Sequence, residues 1–400
     1  MQTICVLTSA HPALDKRVFR REAVSLVTAG YRVILVAPHS RKEVVEQVAI
    51  WPIKASRRRI ARFARTCLVL RLALQARADA YHLHDPELLP IGLMLKAITG
   101  KPVIYDAHEY TSLGILWKDW IPKAFRPLLS WLTRHAEPWM ARRLTAVLVV
   151  TSHMEELFRS KGCETLLVRN LPITDGVNLS IPLEKKRQVL YLGFLSRARG
   201  LEVVIRCVQE AIARRLDVRF LVVGRTLWDG VKPELRSLAA ECERSGVLTF
   251  RDEVPFPTAE ALLRESAIGW IPYQRDPQAK SLELVAPVKL FEYALYGLPI
   301  VASRIGKTAE LVEELDCGLL VKPNVPVEHV NAIESLLQDH RLALEYGKRG
   351  QDRVLSGYSW EHEAERLVDF YDRLLLEHKD SPSLFTDRYE RFKQRCKGDE

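Results

Sequence analysis

The stretch SLELVAPVKLFEYALYGLPIVAS, residues 281–303, decides how the rest of the chain is read. Pro287 suits the first turn of a helix, where a missing N–H costs nothing. Val288, Leu290, Phe291, Ala294 and Leu295 give that helix an apolar face; Gly297 ends it, and Pro299 opens a β-branched strand. A helix running straight into such a strand is the unit of a parallel α/β sheet. Backbone N–H groups at the helix start favour a diphosphate. Lys289 and Glu292 lie about one turn apart on a similar face. An ammonium balances phosphate charge, and a carboxylate accepts both hydroxyls of a ribose. The same pair also reads as a surface ion pair on an ordinary amphipathic helix.

The alternation extends in both directions. Residues 3–9, 31–37, 80–84, 101–108 and 145–152 have strand character, and helical spacing appears near 16–29, 58–78, 87–99, 119–143 and 153–161. Residues 171–186 lack periodicity and read as a linker. A second alternation follows from RQVLYLG, and residues 359–378 form a long amphipathic helix before a polar tail. The predicted fold is therefore α/β, with two doubly wound, Rossmann-like parallel-sheet domains. They span 1–170 and 187–358, and 359–400 comprises a C-terminal helix returning to the first domain and the tail. In such sheets functional residues collect on loops after the strand ends. Three polar clusters fall there: His11–Arg17, His82–Glu87 and Asp106–Tyr110.

Composition narrows the class. Hydrophobic content is 48% and charged content 27%, as in an ordinary globular chain. The longest apolar runs, of about 7–10 residues, are too short to span a bilayer, and the N-terminus lacks signal-peptide features. Seven scattered cysteines suggest reduced thiols in a cytoplasmic protein, with neither a disulfide framework nor a zinc site indicated. The net charge of +9 is uneven: residues 1–180 carry 26 Lys/Arg against 15 Asp/Glu, the remainder 33 against 35. An anionic partner surface is thus expected to touch one domain only, the basic first one.

PVKLFEYALYGLPIVAS resembles the donor-binding segment of glycosyltransferase family 4. HPALDKRVFRREAVSLVTAGYRVILVAP, HLHDPELLPIGLMLKAITGKPVIYDAHEY and LYLGFLSRARGLEVVI resemble further stretches of that family, in order and in spacing. The resemblance covers about residues 1–370. It implies a glycosyltransferase-B fold, a nucleotide diphosphate sugar as donor, retention of anomeric configuration, no cofactor and no obligatory metal. By the same resemblance, Glu292 holds the ribose, Arg199 and Lys289 face the diphosphate, Gly193 allows close backbone approach, and His108 sits at the reacting centre. Three departures stand out. Leu284 occupies the place of a second Glu, Phe194 that of an Arg, and HPALDKR that of a glycine pair. Arg225 and Glu283 are the substitutes the neighbouring sequence offers.

On the acceptor side, Asp15, Arg17, Asp85 and Glu109 are candidates beside His108. Asp15 and Arg17 read equally as a helix N-cap and first-turn residue, and Asp85 with Glu87 as caps of the helix near Pro86. Two stretches point to an anionic membrane surface. Residues 54–77 carry eight basic and no acidic residues, with Ile60, Phe63, Cys67, Leu70 and Leu74 as an apolar stripe and Arg58, Arg62 and Arg65 off it. Residues 111–143 carry Trp117, Trp120, Trp131 and Trp139 among basic residues. Ordinary helices with basic outer faces give the same pattern. A nucleic-acid partner is not expected, for want of a binding motif. These features together imply transfer of a sugar to a lipid-linked or cell-surface glycan in polysaccharide biosynthesis, at the inner face of the cell membrane. The alternatives are a nucleotide-sugar 2-epimerase of the same fold and an inactive nucleotide-sugar-binding partner.

Overall fold

The computed structural model describes residues 1–54, 60–116, 118, 121–182, 184–228, 231–276 and 280–378. Arg58, Trp117, Trp120 and the tail beyond 378 lie outside the described residues, as do the side chains of Ile60, Arg62 and Phe63. The chain forms two compact units. The first comprises Met1–Asn170 and resumes at Trp360; the second is Leu171–Ser359.

The sheet of the first unit holds β1 (Thr3–Leu7), β2 (Arg32–Pro38), β3 (Glu43–Val45), β4 (Val48–Ile53), β5 (Ala80–Leu83), β6 (Val103–Ala107), β7 (Ala146–Val149) and β8 (Thr165–Leu167). Their order is β3-β4-β2-β1-β5-β6-β7-β8, parallel throughout except for the β3–β4 hairpin. Leu7 sits opposite both Val36 and Leu83, so the polar residues after β1, β5 and β6 emerge at one edge. Strand order reverses between β1 and β5, the place where such sheets bind ligands. The hairpin is absent from the sequence-based reading for a local reason. Its turn places Glu46 and Gln47 at φ 45° and 63°, a conformation usually marked by Asn-Gly.

The first helix begins with a π-helical segment, Lys16–Ala23, before continuing as α-helix over Val24–Thr28. Because bonding is i→i+5 there, Arg17 and Glu22 fall on one face. Asp15 caps it, accepting from the backbone N–H groups of Arg17 and Val18. In the helix Ile60–Ala76 the buried face is Val69, Leu70, Ala73 and Leu74, while Cys67 is exposed rather than part of the stripe. The helix Trp360–Glu377 packs on this unit. Trp360 Nε1 donates to Ser25 Oγ at 2.9 Å, the Arg169 backbone N–H donates to Glu363 at 2.9 Å, and Tyr371 Oη lies 3.0 Å from His82 Nδ1.

The second unit contains β9 (Lys186–Leu192), β10 (Arg219–Val223), β11 (Leu248–Arg251), β12 (Ser266–Ile271), β13 (Ile300–Ser303) and β14 (Gly318–Val321). All are parallel, in the order β11-β10-β9-β12-β13-β14. Numbered within the unit this is the doubly wound Rossmann order, with its reversal between β9 and β12. The helix Val288–Leu295 follows Pro287, which is the N-cap residue rather than part of the first turn, and the chain leaves it through Gly297 at φ 62°. Tyr293 Oη accepts from the Leu192 backbone N–H at 2.8 Å, tying this helix to the end of β9. The aperiodic stretch 171–182 is not loose. Leu171 is buried, and Gln351 Nε2 donates to the carbonyls of Leu179 and Leu295. Among the described residues no helix is long and apolar enough to cross a membrane.

Because Trp360 is 3% exposed and its indole is hydrogen-bonded, Trp360→Ala removes the anchor of the returning helix. A loss of about 3–5 kcal/mol from unfolding of the first unit is expected, measured by urea titration. An unchanged midpoint would show that the helix contributes nothing to this unit.

Candidate functional site

The first unit gathers its polar residues where the strand order reverses. Thr8, Ser9 and Ala10 leave β1 and wrap around the carboxylate of Asp85, whose Oδ2 accepts from Thr8 Oγ1 at 2.8 Å and from the Ser9 backbone N–H at 2.6 Å. Ser9 Oγ donates to Glu87 at 2.8 Å. Asp85 is 3% exposed and makes no side-chain capping bond to the helical turn at Pro86. Asp85 and Glu87 therefore shape the β1 loop instead of capping a helix, and Asp85 is largely withdrawn from an acceptor.

That loop presents His11 to His108. The two Nε2 atoms are 3.2 Å apart, and His108 Nδ1 lies 3.4 Å from Asp106 Oδ2. His11 is flanked by Asp15 at 3.7 Å and Asp85 at 3.6 Å. Burial pushes the His11 imidazole down, but the Asp15 hydrogen bond and the charges of Asp85, Asp15 and Glu109 outweigh it and raise it to about 9. A protonated His11 can thus donate to His108, whose other nitrogen faces a carboxylate. Burial likewise opposes the charge of Asp15, yet His11 and the backbone N–H groups of Val18 and Arg17 hold it below the usual carboxylate range. His11 belonged to a recognised polar cluster without an assigned role. The i,i+4 spacing of His11 and Asp15 was its signal. Glu109 is exposed beside the cluster.

Beneath lies a fully buried charged layer. Arg17 Nε donates to Asp106 Oδ2 at 2.8 Å and Nη2 to Oδ1 at 3.1 Å, a bidentate fork, and the same guanidinium reaches the carbonyl of Val168. Arg17 Nε is also 3.0 Å from Glu22 Oε1. At 4% exposure Arg17 is committed to this layer and does not line an acceptor pocket, which corrects that expectation. Burial works against the Asp106 charge, but Arg17 and the nearby histidines hold its carboxyl well below the ordinary value. Glu22 goes the other way, pushed well up by burial and by Asp106. Burial also drives His82 and His84 downward from the ordinary histidine value.

In the second unit the corresponding reversal carries Gly193, at φ 100°, directly after β9. The loop closes at Gly200, at φ 99°, where a Cβ would fall 2.0 Å from the Pro272 carbonyl oxygen beyond β12. Lys289 approaches from the helix Val288–Leu295. It is 7% exposed, and Nζ has no hydrogen-bond partner among the described residues. Its ammonium lies 3.5 Å from the Tyr191 ring centroid, and a methyl group at Gly193 would sit 3.7 Å from it. Burial pushes Lys289 well below the ordinary lysine range, Arg199 adds to this, and Glu292 opposes it. The surface ion pair with Glu292 is therefore not what forms. Arg199 donates to the Phe194 carbonyl at 3.3 Å, with its guanidinium 5.2 Å from the Phe194 ring centroid. The aromatic ring at the departure thus supports the remaining arginine. Glu292 is half-buried, whereas Glu283 and Arg225 are exposed. A buried, unpaired cation beside an open glycine backbone is suited to an anion.

Comparisons with known proteins agree with this division. The description "Glycosyl transferases group 1" matches residues 186–339, and "Glycosyl transferase 4-like domain" matches 16–173. The phosphatidyl-myo-inositol mannosyltransferase of Mycolicibacterium smegmatis is 24% identical over 74% of this chain and 71% of its own length. The chain spans a little under half the length of several other curated relatives it matches. Among solved structures, a sucrose-phosphate synthase from Thermosynechococcus elongatus superposes with a TM-score of 0.71, at 18% identity over 94% of this chain and all of that one. Anabaena HepE in complex with UDP and glucose gives 0.67 at 15% identity, over 93% of this chain and 99% of that one. At these identities the structures show the fold alone.

The raised His11 has a measurable consequence. Its folded-state value of about 9 exceeds the ordinary 6.5, so its stabilisation is fully present below 6.5 and fades as the pH rises through 9. Wild type should exceed His11→Gln in stability at about pH 6, with the gap closing by about pH 10. Denaturant titrations of both proteins at the two pH values check this, and a pH-independent gap would reject a charged His11.

Proposed function

Since the chain belongs to the group 1 glycosyl transferase family, we propose that it is a retaining hexosyltransferase that moves a sugar from a nucleoside diphosphate donor to a lipid-linked or cell-surface glycan. The observation that carries the donor half is the unpaired Lys289 ammonium beside Gly193. When the bond between the anomeric carbon and the diphosphate oxygen breaks, negative charge grows on the leaving group. Lys289 and Arg199 answer that charge, and the start of the helix Val288–Leu295 adds its dipole. Glu292, half-buried farther along the helix, accepts the ribose hydroxyls. His108, which contacts Asp106 and His11, is the first unit's candidate to act on the reacting groups, as the family resemblance implies. The UDP and glucose named for HepE and the lipid named for the mannosyltransferase support these substrate classes.

The acceptor reading rests on the helix Arg126–Ala141 and the turn before it. Its outer face is apolar, not basic: Phe125, Leu128, Trp131, Leu132 and Trp139 are 46–58% exposed. Exposed Lys123, Arg134, Arg142 and Arg143 border this face, and the helix's one acidic residue, Glu137, is buried. Apolar side chains rimmed by cations fit the interface of an anionic bilayer, which delivers a lipid-linked acceptor to the first unit.

Titration calorimetry with UDP, GDP and ADP tests the donor half. One nucleotide should bind. Lys289→Ala and Glu292→Ala should each weaken binding about 10–100-fold; unchanged affinity in either variant removes that residue from the donor site. For the acceptor half, wild type should co-sediment with vesicles containing phosphatidylglycerol and be released by salt. The double variant Trp131→Ala/Trp139→Ala, altered only at exposed positions, should stay in solution. Equal binding to neutral vesicles would reject the electrostatic part of this reading.

A further inference from the structure

The buried layer beneath His108 holds more ligand atoms than its own hydrogen bonds use. Glu22, His82, His84 and Asp106 each direct one nitrogen or oxygen into a space where these four atoms lie within 4.8 Å of one another, and all four residues are buried. Neither Glu22 oxygen has a hydrogen-bond partner among the described residues, and the same holds for His82 Nε2 and both His84 nitrogens. Arg17 Nε lies 3.0 Å from Glu22 Oε1 and Asp106 Oδ2 lies 3.0 Å from His84 Nδ1, which leaves Glu22 Oε2, His82 Nε2 and His84 Nε2 as the atoms without a counterpart. Orphaned polar atoms at this depth are costly, and three facing one another call for an occupant.

The arrangement selects among occupants. Glu22 Oε2 is 3.7 Å from His82 Nε2 and 3.4 Å from His84 Nε2, while the two imidazoles stack with centroids 4.5 Å apart. Ligand bonds of about 2.0–2.2 Å around one ion place neighbouring donor atoms roughly 3–4 Å apart, the spacing seen here. The outward nitrogens are held as those of metal-bound histidines usually are: His82 Nδ1 lies 3.0 Å from Tyr371 Oη, and His84 Nδ1 lies 3.0 Å from Asp106 Oδ2. With the proton on Nδ1, where Tyr371 Oη and Asp106 Oδ2 can each accept it, both rings turn a bare Nε2 inward. Arg17 neutralises Asp106 through its fork and lies 3.0 Å from Oε1 of Glu22, while Oε2 is the oxygen that faces the histidines.

We propose that Glu22 Oε2, His82 Nε2 and His84 Nε2 bind a divalent transition-metal ion of the zinc class, with Asp106 and Tyr371 orienting the two imidazoles. Two imidazoles and one carboxylate suit zinc, cobalt or nickel better than magnesium or calcium, which prefer oxygen alone. The ion ties the first helix to β5 and, through Tyr371, to the returning helix Trp360–Glu377. Its place is in the first unit, where it holds elements of that unit together.

The test uses full-length untagged protein expressed in zinc-supplemented medium, desalted and measured by plasma mass spectrometry. About one metal ion per chain is expected in wild type and well under a tenth of that in Glu22→Gln. Glu22→Gln keeps the shape of the side chain, and circular dichroism confirms that the comparison is between folded proteins. Cobalt-substituted wild type should show visible ligand-field absorption that is missing from His84→Gln, and Asp106→Asn should weaken metal affinity about 10–100-fold. Two results would overturn the assignment: metal-free wild type from that medium, or equal metal content in wild type and folded Glu22→Gln. The first means that the layer closes on protons alone, and the second that metal sits on other residues. Neither bears on nucleotide binding at Lys289, so the donor reading is judged separately.

Discussion

The fork between Arg17 and Asp106 is the contact on which the first unit depends. It joins residues 89 positions apart, both buried, and it fixes the first helix against the end of β6. A buried carboxylate needs a fully engaged cation to stay charged, and Arg17 supplies it with two parallel bonds. Once Asp106 is charged and immobile, His84 and His108 are oriented by it from either side. Above that layer the β1 loop, gathered around Asp85, brings His11 to His108. The exposed surface of the site is thus set by charges that never meet solvent.

The second unit solves a different problem with a cation left unpaired. Lys289 is buried against Tyr191 and Tyr273 with no hydrogen-bond partner for Nζ among the described residues, and burial pushes it well below the ordinary lysine range. The cost is borne by a sheet whose strand reversal, close-packed glycine loop and Tyr293–Leu192 bond hold the lysine in place. One unit therefore pairs its buried charges, and the other leaves a cationic side chain open to an anion. Both place that chemistry where strand order reverses, because only there do two adjacent loops part to leave room.

Legibility followed the range of the forces involved. The central strands and most helices were readable because buried parallel strands are continuous apolar runs. The β3–β4 hairpin was not, since Glu46 and Gln47 adopt left-handed backbone without the residues that normally signal it. Helical spacing marked residues 119–143 as amphipathic, yet periodicity is blind to which face a neighbour covers. The apolar face proved to be the exposed one, with Glu137 turned inward. Phe194 read as a loss of charge and is the platform on which Arg199 rests.

Arg17 shows the same limit at a single residue. In sequence it is a basic side chain in a polar loop and suits an acceptor pocket; in space it is sealed under that loop by residues from β6 and from just after β8. The alternation of most strands and helices and the two parallel sheets were determined by the sequence alone, because each rests on local periodicity. Tertiary structure alone decided which charges are paired, which cation stands free, that His11 reaches His108, and that Glu22, His82, His84 and Asp106 converge. Those outcomes depend on burial and on contacts between residues far apart in the chain, and no local pattern encodes either.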